Sequence, residues 1–381
     1  MRICSVDEGG VFGGPERRII EIANSLKKYN ILTHVVYPNQ KSKRFTREIK
    51  KANISSTSIY LNRLTKEKII LFQFVLFFFY EIFLLYKLFK KEKFDLIQVN
   101  GSQQFKGAIA AKLAKRPTIW VLEDTMMDST VKKICNYLIH HLASGIIVVA
   151  SSVYDYYING TELEIKPCIE IPAHVDTKVF DPKKVPMLNN LNFKGKTIIT
   201  TVAGINPTKG IEYFVEMASL LLKKNRNLLF LIAGAKISSH SRYSEQIKKL
   251  IYSKNIQNEI VFLGLIEEIP SLLKSSDIFV CSSISEASPM AVWEAMAMEK
   301  CVVTTDVGAV RNYITDGKSG YVVPIKDSKE LFNKVNYLLK NTQIIKSMGK
   351  QARKVAKQNL DILIAAKKYS YFYKKIILKK V

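Results

Sequence analysis

Short apolar runs alternate with amphipathic stretches along most of the chain. In the first half, apolar runs predict strands at 3–6, 33–37, 96–99, 118–122 and 145–150, and helices are predicted at 15–28, 108–114 and 131–142. A second series of predicted strands covers 197–202, 228–233, 260–263, 278–281 and 302–305. Such alternation is typical of a parallel sheet with helices on both faces. The pattern therefore predicts two doubly wound α/β domains.

The two series are separated by a stretch rich in proline and polar residues, 171–182. A chain of 381 residues is long for a single core and suits two domains. We predict an N-terminal Rossmann-like domain over 1–176 and a C-terminal Rossmann-like domain over 177–360, followed by a final helix over 361–381.

An apolar segment, 69–89, interrupts the alternation in the first half, with lysines on both sides. Its length is near that of a membrane-spanning helix. Gln73, Glu81 and Lys87 within it, and the strand that follows at once, argue against spanning. We predict one helix of the N-terminal domain with an apolar outer face lying on a bilayer. An ordinary core helix is the alternative, because aromatic runs more often pack in cores.

The formal net charge of +25 requires an anionic partner. No zinc finger, arginine-rich arm or aromatic RNA-binding signature is found, which disfavours nucleic acid. Anionic lipid is favoured, because Lys66, Lys68, Lys90, Lys91 and Lys93 flank the apolar segment. We find no signal peptide and expect a cytoplasmic protein, peripheral on the inner face of the plasma membrane. The five cysteines contain no C-x-x-C pair, so we predict reduced thiols and no metal site.

Two glutamates, Glu286 and Glu294, lie eight positions apart and flank a predicted helix start. The strand 278–281 ends just before them, at the position where open α/β sheets bind ligands. Ser288, Pro289 and Met290 lie near the predicted helix N-terminus. The free backbone N–H groups there, which proline lacks, would attract phosphate. The glutamates could then bind sugar hydroxyls on either side.

These residues carry a resemblance to a known family. The spacing of Glu286 and Glu294 resembles the E-x7-E signature of the retaining glycosyltransferases of family 4, and 301–308 and 316–324 continue the similarity. The resemblance implies a GT-B fold, with two Rossmann-like domains facing a cleft and the last helix crossing back to the N-terminal domain. It also implies a nucleotide-diphosphate sugar as donor, with no metal or other cofactor.

The resemblance also assigns roles to single residues. It implies that Gly13 and Gly14 face the donor diphosphate from a glycine loop, and that Lys209 neutralises the leaving diphosphate. Glu294 would bind the ribose and Glu286 the hexose hydroxyls.

Two positions depart from the family pattern. Gly204 stands where the family has an arginine that contacts the diphosphate, and Glu123 stands where a histidine often points at the sugar. We keep Gly204 in the nucleotide-sugar site and count Glu123, with Lys209 and Glu286, as candidate catalytic residues.

The leading hypothesis is therefore a hexosyltransferase that uses a lipid-linked saccharide or a polysaccharide as acceptor, in bacterial surface polysaccharide synthesis. A sugar-nucleotide epimerase of the same fold is a second possibility. A membrane-bound scaffold with a decayed site is the third, because of the departures at Gly204 and Glu123.

Overall fold

A computed structural model describes residues 1–40, 42–65, 67–188, 195–235 and 240–378. The chain divides into two compact units. Unit 1 comprises Met1–Ala173 with Ile362–Val381, and unit 2 comprises His174–Asp361. Whereas the sequence places the boundary at 176–177, the structure divides the chain after Ala173, inside the proline-rich stretch.

Unit 1 contains a parallel sheet of seven strands in the order β3-β2-β1-β4-β5-β6-β7. The strands are β1 Arg2–Val6, β2 Leu32–Pro38, β3 Ser55–Ile59, β4 Leu96–Asn100, β5 Thr118–Leu122, β6 Gly145–Val148 and β7 Cys168–Glu170. The helices are α1 Gly14–Leu26, α2 Lys43–Lys51, α3 Lys68–Leu76, α4 Phe78–Glu92, α5 Phe105–Leu113, α6 Ser129–Leu142 and α7 Ser151–Tyr157. The strand order reverses between β1 and β4, which makes the loops after these strands the expected ligand position.

Unit 2 repeats this plan with six parallel strands in the order β10-β9-β8-β11-β12-β13. The strands are β8 Thr197–Val202, β9 Leu228–Ala233, β10 Ile260–Gly264, β11 Ile278–Cys281, β12 Cys301–Thr305 and β13 Tyr321–Val323. The helices are α8 Ile211–Leu222, α9 Ser241–Ser253, α10 Ile269–Ser275, α11 Met290–Ala297, α12 Val310–Tyr313, α13 Ser328–Lys340 and α14 Thr342–Val355. Here the order reverses between β8 and β11. The predicted α/β class with two doubly wound sheets is confirmed.

The last helix, α15 Ile362–Leu378, returns to unit 1, as predicted. It packs on α1, and the Tyr373 hydroxyl donates a hydrogen bond of 2.6 Å to Gln98 Oε1 on β4. Gly145 starts β6 under this helix. A Cβ at Gly145 would lie 2.7 Å from Ile376 Cδ1, so a larger residue there would force the Ile376 side chain to shift.

The prediction of one helix over 69–89 was wrong. The segment forms two helices, α3 and α4, that meet at 58° near Phe77. In the described part of the chain no single helix is long and apolar enough to cross a membrane, whereas this bent pair passes the same test of length and composition. Glu81 is fully buried, so it shares no polar face with the exposed Lys87. Lys66 lies outside the described residues.

Candidate functional site

Lys209 and Glu286 meet at the point in unit 2 where the strand order reverses. Lys209 ends a short helical turn after β8, and Glu286 lies in the loop after β11. Lys209 Nζ donates a hydrogen bond to Glu286 Oε1, and Ser283 Oγ donates another of 3.0 Å to the same oxygen. The two side chains are 27% and 18% exposed. The pair therefore places a cation and a carboxylate side by side, within reach of solvent, at the carboxyl ends of two central strands.

Backbone contacts hold the two loops together. Ile284 N donates a hydrogen bond of 2.8 Å to Thr208 O, and Ser282 Oγ donates one of 3.2 Å to Lys209 O. Gly210 follows Lys209 with a φ of +56°, and a Cβ there would lie 2.2 Å from Ser282 O. Glycine is thus required at 210 by both conformation and space. Its contact fixes where Lys209 stands relative to the loop of Glu286.

A third loop, after β12, supports Glu286 from the other side. Gly308 has a φ of +52°, and a Cβ there would lie 2.0 Å from Ala287 O and 2.6 Å from Glu286 O. Ala309 N donates a hydrogen bond of 2.9 Å to Ala287 O. Sequence reasoning placed Gly308 in the family motif without a role, and the structure shows that it lets this loop pack directly on the backbone of Glu286.

Helix α11 begins at Met290, directly after Ser288 and Pro289. The first amides of a helix lack acceptors within the helix and attract anions. The Ser288 hydroxyl accepts a hydrogen bond of 3.1 Å from Trp293 Nε1, which ties the loop to the buried face of the helix. The predicted phosphate-attracting position is thus a true helix start, next to the loop that carries Glu286.

Glu294 is the fifth of the eight residues of α11, and it is only 3% exposed. The carboxylate that the resemblance assigns to the ribose is therefore buried in this structure. Trp293 beside it packs edge-on against Tyr313, with ring centroids 5.5 Å apart. These aromatic side chains pack the helix start beside Glu294.

Gly204 lies in the loop after β8, where the family resemblance expects an arginine. Its neighbour Ala203 packs against Gly234, at which a Cβ would lie 1.9 Å from Ala203 O. Gly204 therefore contributes backbone groups to this loop, but not the positive charge of the arginine that the family has there.

In unit 1 the glycine loop follows β1 and ends at α1. The Gly13 N–H donates a hydrogen bond of 2.8 Å to Glu16 Oε2, which caps the helix. That amide is thus already used by the protein itself, contrary to the expectation that it faces a ligand. Gly14 is the first helical residue. Positive φ occurs at Gly10, at +68°, whereas Gly13 is extended.

Glu123 follows β5 and forms an ion pair with Arg18 of α1. Both side chains are largely buried, at 16% and 7% exposure. Asp124 next to it accepts hydrogen bonds from Ser102 Oγ at 2.6 Å and from Tyr157 OH at 3.1 Å. Glu123 thus already has an ion-pair partner within the protein. A sugar hydroxyl would have to share the Glu123 carboxylate with Arg18.

Sequence reasoning missed a group of buried carboxyls at the end of β1. Burial raises the pKa of Asp7 to about 6, of Glu8 to about 7 and of Glu16 to about 8. Gly9 lies between two of them, since a Cβ there would be 3.0 Å from Glu16 Oε1 and 3.4 Å from Asp7 Oδ1. The signal was present as an Asp-Glu pair directly after a buried strand. Among the described residues, no group of three or more His, Cys, Asp or Glu side chains could hold a metal ion.

Comparisons with known proteins give a consistent result. A family model described as glycosyl transferases group 1 matches residues 187–355, and one described as glycosyltransferase family 4 matches residues 12–179. The N,N'-diacetylbacillosaminyl-diphospho-undecaprenol alpha-1,3-N-acetylgalactosaminyltransferase of Campylobacter jejuni is 28% identical over 77% of this chain and 81% of its own. The UDP-Gal:alpha-D-GlcNAc-diphosphoundecaprenol alpha-1,3-galactosyltransferase of Escherichia coli is 25% identical over 78% and 79%.

Solved structures share the fold. HepE of Anabaena in complex with UDP-glucose superposes with a TM-score of 0.84 at 20% identity, covering 98% of this chain and 100% of that one. A glycosyltransferase from Rickettsia africae gives 0.80 at 22% identity, covering 99% and 98%.

Proposed function

Because the chain belongs to glycosyltransferase family 4, we propose that it transfers a hexose-type sugar, with retention, from a nucleotide-diphosphate sugar to a lipid-linked saccharide. The chain is a nucleotide-sugar-dependent glycosyltransferase with a GT-B fold. The observation that carries the proposal is the Lys209–Glu286 pair beside the start of α11, at the reversal of strand order in unit 2.

The donor side rests on electrostatics. Cleavage of a sugar–diphosphate bond develops negative charge on the leaving phosphate, which fixed cations and dipoles must stabilise. Lys209 supplies the cation, and the first amides of α11 supply the dipole, so we propose that no metal ion is needed. Glu294 accepts hydrogen bonds from the ribose hydroxyls. Glu286 accepts a hydrogen bond from a hexose hydroxyl, which replaces part of its contact with Lys209. In this proposal the departing phosphate oxygen takes the proton of the acceptor hydroxyl as the new glycosidic bond forms.

The acceptor side rests on charge and on the relatives. The names of the two bacterial relatives specify acceptors linked to undecaprenol through diphosphate. The net charge of +25 and the exposed lysines at the end of α4 suit an anionic membrane, where such an acceptor is held. We therefore propose that the protein acts on the inner face of the plasma membrane, in surface polysaccharide synthesis such as that of O-antigen, capsule or lipopolysaccharide.

The test begins with binding. Purified protein is screened by thermal shift against UDP-, GDP- and ADP-sugars, because a ligand that binds only the native state raises its stability. The stabilising donor is then assayed for transfer to a polyprenyl-diphosphate-linked saccharide. Loss of both shift and transfer in Lys209→Met is the expected result.

Lys248→Met is the matched control, since Lys248 forms an exposed ion pair with Glu245 elsewhere in unit 2. Donor binding without any transfer would instead favour the scaffold with a decayed site. Equal activity in Lys209→Met and Lys248→Met would exclude Lys209 from the site.

A further inference from the structure

The bent pair α3–α4 exposes large apolar side chains along one continuous stretch. Phe79 at the bend is 82% exposed, and the stretch as a whole runs from residue 69 to residue 83. Its most exposed members are Ile69, Phe72, Val75, Leu76, Phe79 and Tyr80. A patch of this kind marks an interaction surface.

The exposed stripe of α4 changes character along the helix. Phe79 and Phe83 are followed at helical spacing by Lys87 and then by Lys90 and Lys91, all exposed. Lys87 Nζ lies over the Phe83 ring, 5.1 Å from its centroid, at the change from apolar to basic. The opposite face of α4 packs into the core of unit 1 through Ile82, Leu85 and Phe89. The apolar-to-basic gradient matches a boundary between lipid tails and anionic head groups.

A buried lysine holds the bend from beneath. Lys106 of α5 is fully buried and donates hydrogen bonds to Glu81 of α4 and to Asn62 O. Its ammonium group also lies over the Phe74 ring of α3, 4.5 Å from the centroid. Glu81 in turn accepts from Asn62 N at 3.1 Å. One side chain thus contacts both arms of the bend, and straightening the pair would break its contact with Phe74 or with Glu81.

The lengths of the helices agree with shallow insertion. At about 1.5 Å per residue, the nine residues of α3 reach about 13 Å, and Phe79 lies about 12 Å along α4 from Lys87. The hydrocarbon core of a bilayer is about 30 Å thick. With its lysines among the phosphates, the bend would enter one leaflet only, to a depth of roughly 5–10 Å.

We propose that residues 69–83 form a wedge that enters a single leaflet of an anionic bilayer, with Lys87, Lys90 and Lys91 at the head groups and Lys106 holding the bend. The inference rests on the proposed membrane-bound acceptor and identifies the surface that meets the membrane. The occupant is lipid, because the exposed stripe of α4 ends in Lys87, Lys90 and Lys91, whose charge complements anionic head groups. The exposed acid Glu67 lies at the other end of the wedge, before α3.

The experiment measures where labelled residues lie relative to the bilayer, and not enzyme activity. In a Cys168→Ser chain, single cysteines are introduced by Glu67→Cys, Phe79→Cys or Lys91→Cys and labelled with an environment-sensitive fluorophore, since the other native cysteines are buried. Vesicles contain phosphatidylcholine and phosphatidylglycerol in equal amounts. We expect lipid-tail quenchers to reach the label at 79, and external iodide to reach the labels at 67 and 91 but not the label at 79. Phe72→Ser with Phe79→Ser should lower partitioning into vesicles by about a hundredfold.

Ile134→Ser with Tyr137→Ser, which removes two exposed apolar side chains from α6, is the matched control and should leave partitioning unchanged. A label at 67 or 91 that external iodide cannot reach would mean that the pair spans the bilayer. A label at 79 protected without vesicles, in a chain that sediments as a dimer, would mean a second copy as occupant. Either result overturns the wedge, as does a label at 79 that iodide still quenches on vesicles. Insertion of the wedge in a chain without transfer activity would count against the proposed function alone.

Discussion

Glu8→Gln should stabilise unit 1 at high pH. Glu8 lies directly after β1, and its carboxylate is almost fully buried, with Oε2 3.4 Å from Lys106 Nζ. Lys106 is already bonded to Glu81, a second buried carboxylate. The charge of Glu8 is therefore not needed to neutralise the lysine. Glutamine keeps the shape of the side chain and removes that charge.

The magnitude follows from the pKa. Burial raises the pKa of Glu8 from 4.5 to about 7, so the folded protein keeps this proton to a higher pH than the unfolded chain does. The wild-type free energy of unfolding must then fall as pH rises from about 4.5 to about 7, by up to about 3 kcal/mol. Glu8→Gln has no carboxyl that titrates at this position, so its free energy of unfolding does not fall in this way. Allowing for a weakened contact with Lys106, we expect it to exceed wild type by about 1–3 kcal/mol at pH 8 and to match it near pH 5.

Urea unfolding followed by Trp120 fluorescence, in a Trp293→Phe background, reports unit 1 at both pH values. Glu81→Gln is the opposite case, because it removes the main partner of Lys106 and should cost about 3–5 kcal/mol. Glu48→Gln, at an exposed ion pair of α2, should change little. A Glu8→Gln protein that is less stable than wild type at pH 8, or whose difference does not depend on pH, would refute the reasoning.

Four further predictions concern the candidate site. Lys209→Met should weaken nucleoside-diphosphate binding by about 1.5–3 kcal/mol in calorimetry, as expected for a lost hydrogen bond to a charged group, and unchanged affinity would contradict this. Glu294→Gln should weaken nucleotide binding by about 1–3 kcal/mol while keeping the packing that alanine would lose; equal affinity would remove Glu294 from the site. Transfer should persist in EDTA, because Lys209 and the start of α11 supply the positive charge, and a rate restored only by magnesium or manganese would disprove it. Glu123→Gln should lower the stability of unit 1 by about 3–5 kcal/mol in urea, because it leaves Arg18 buried and unpaired; a stable variant that has lost only activity would make Glu123 a substrate contact instead.

Local patterns determined much of the fold. The strands at 118–122, 197–202, 228–233 and 278–281 were predicted with the bounds observed, because each is a short run of residues buried on both faces. The edge strand β3 was missed, since Ser55–Ile59 contains one large apolar residue and is mostly half-exposed. Helix α2 was missed too, although Phe45 and Ile49 carry the helical spacing that could have revealed it.

The sequence predicted where the residues of the candidate site lie along the chain, but not the contacts between them. The positions of Lys209 and Glu286 after strands could be predicted, because motifs and strand ends are local features. Their direct ion pair joins residues 77 positions apart and depends on β8 and β11 being neighbours. Gly210 and Gly308 then set the distance between loops, through backbone contacts that no local pattern contains.

Only tertiary structure decided the shape of the apolar segment. No proline or glycine interrupts 69–89, so its sequence predicts one continuous helix. The bend near Phe77 coincides with Lys106, which comes from a later helix and binds both arms. The sequence alone shows that the segment is apolar, because hydropathy is a sum over residues. Which of its faces meets the core depends on a buried charge pair that forms only when α4 and α5 pack together.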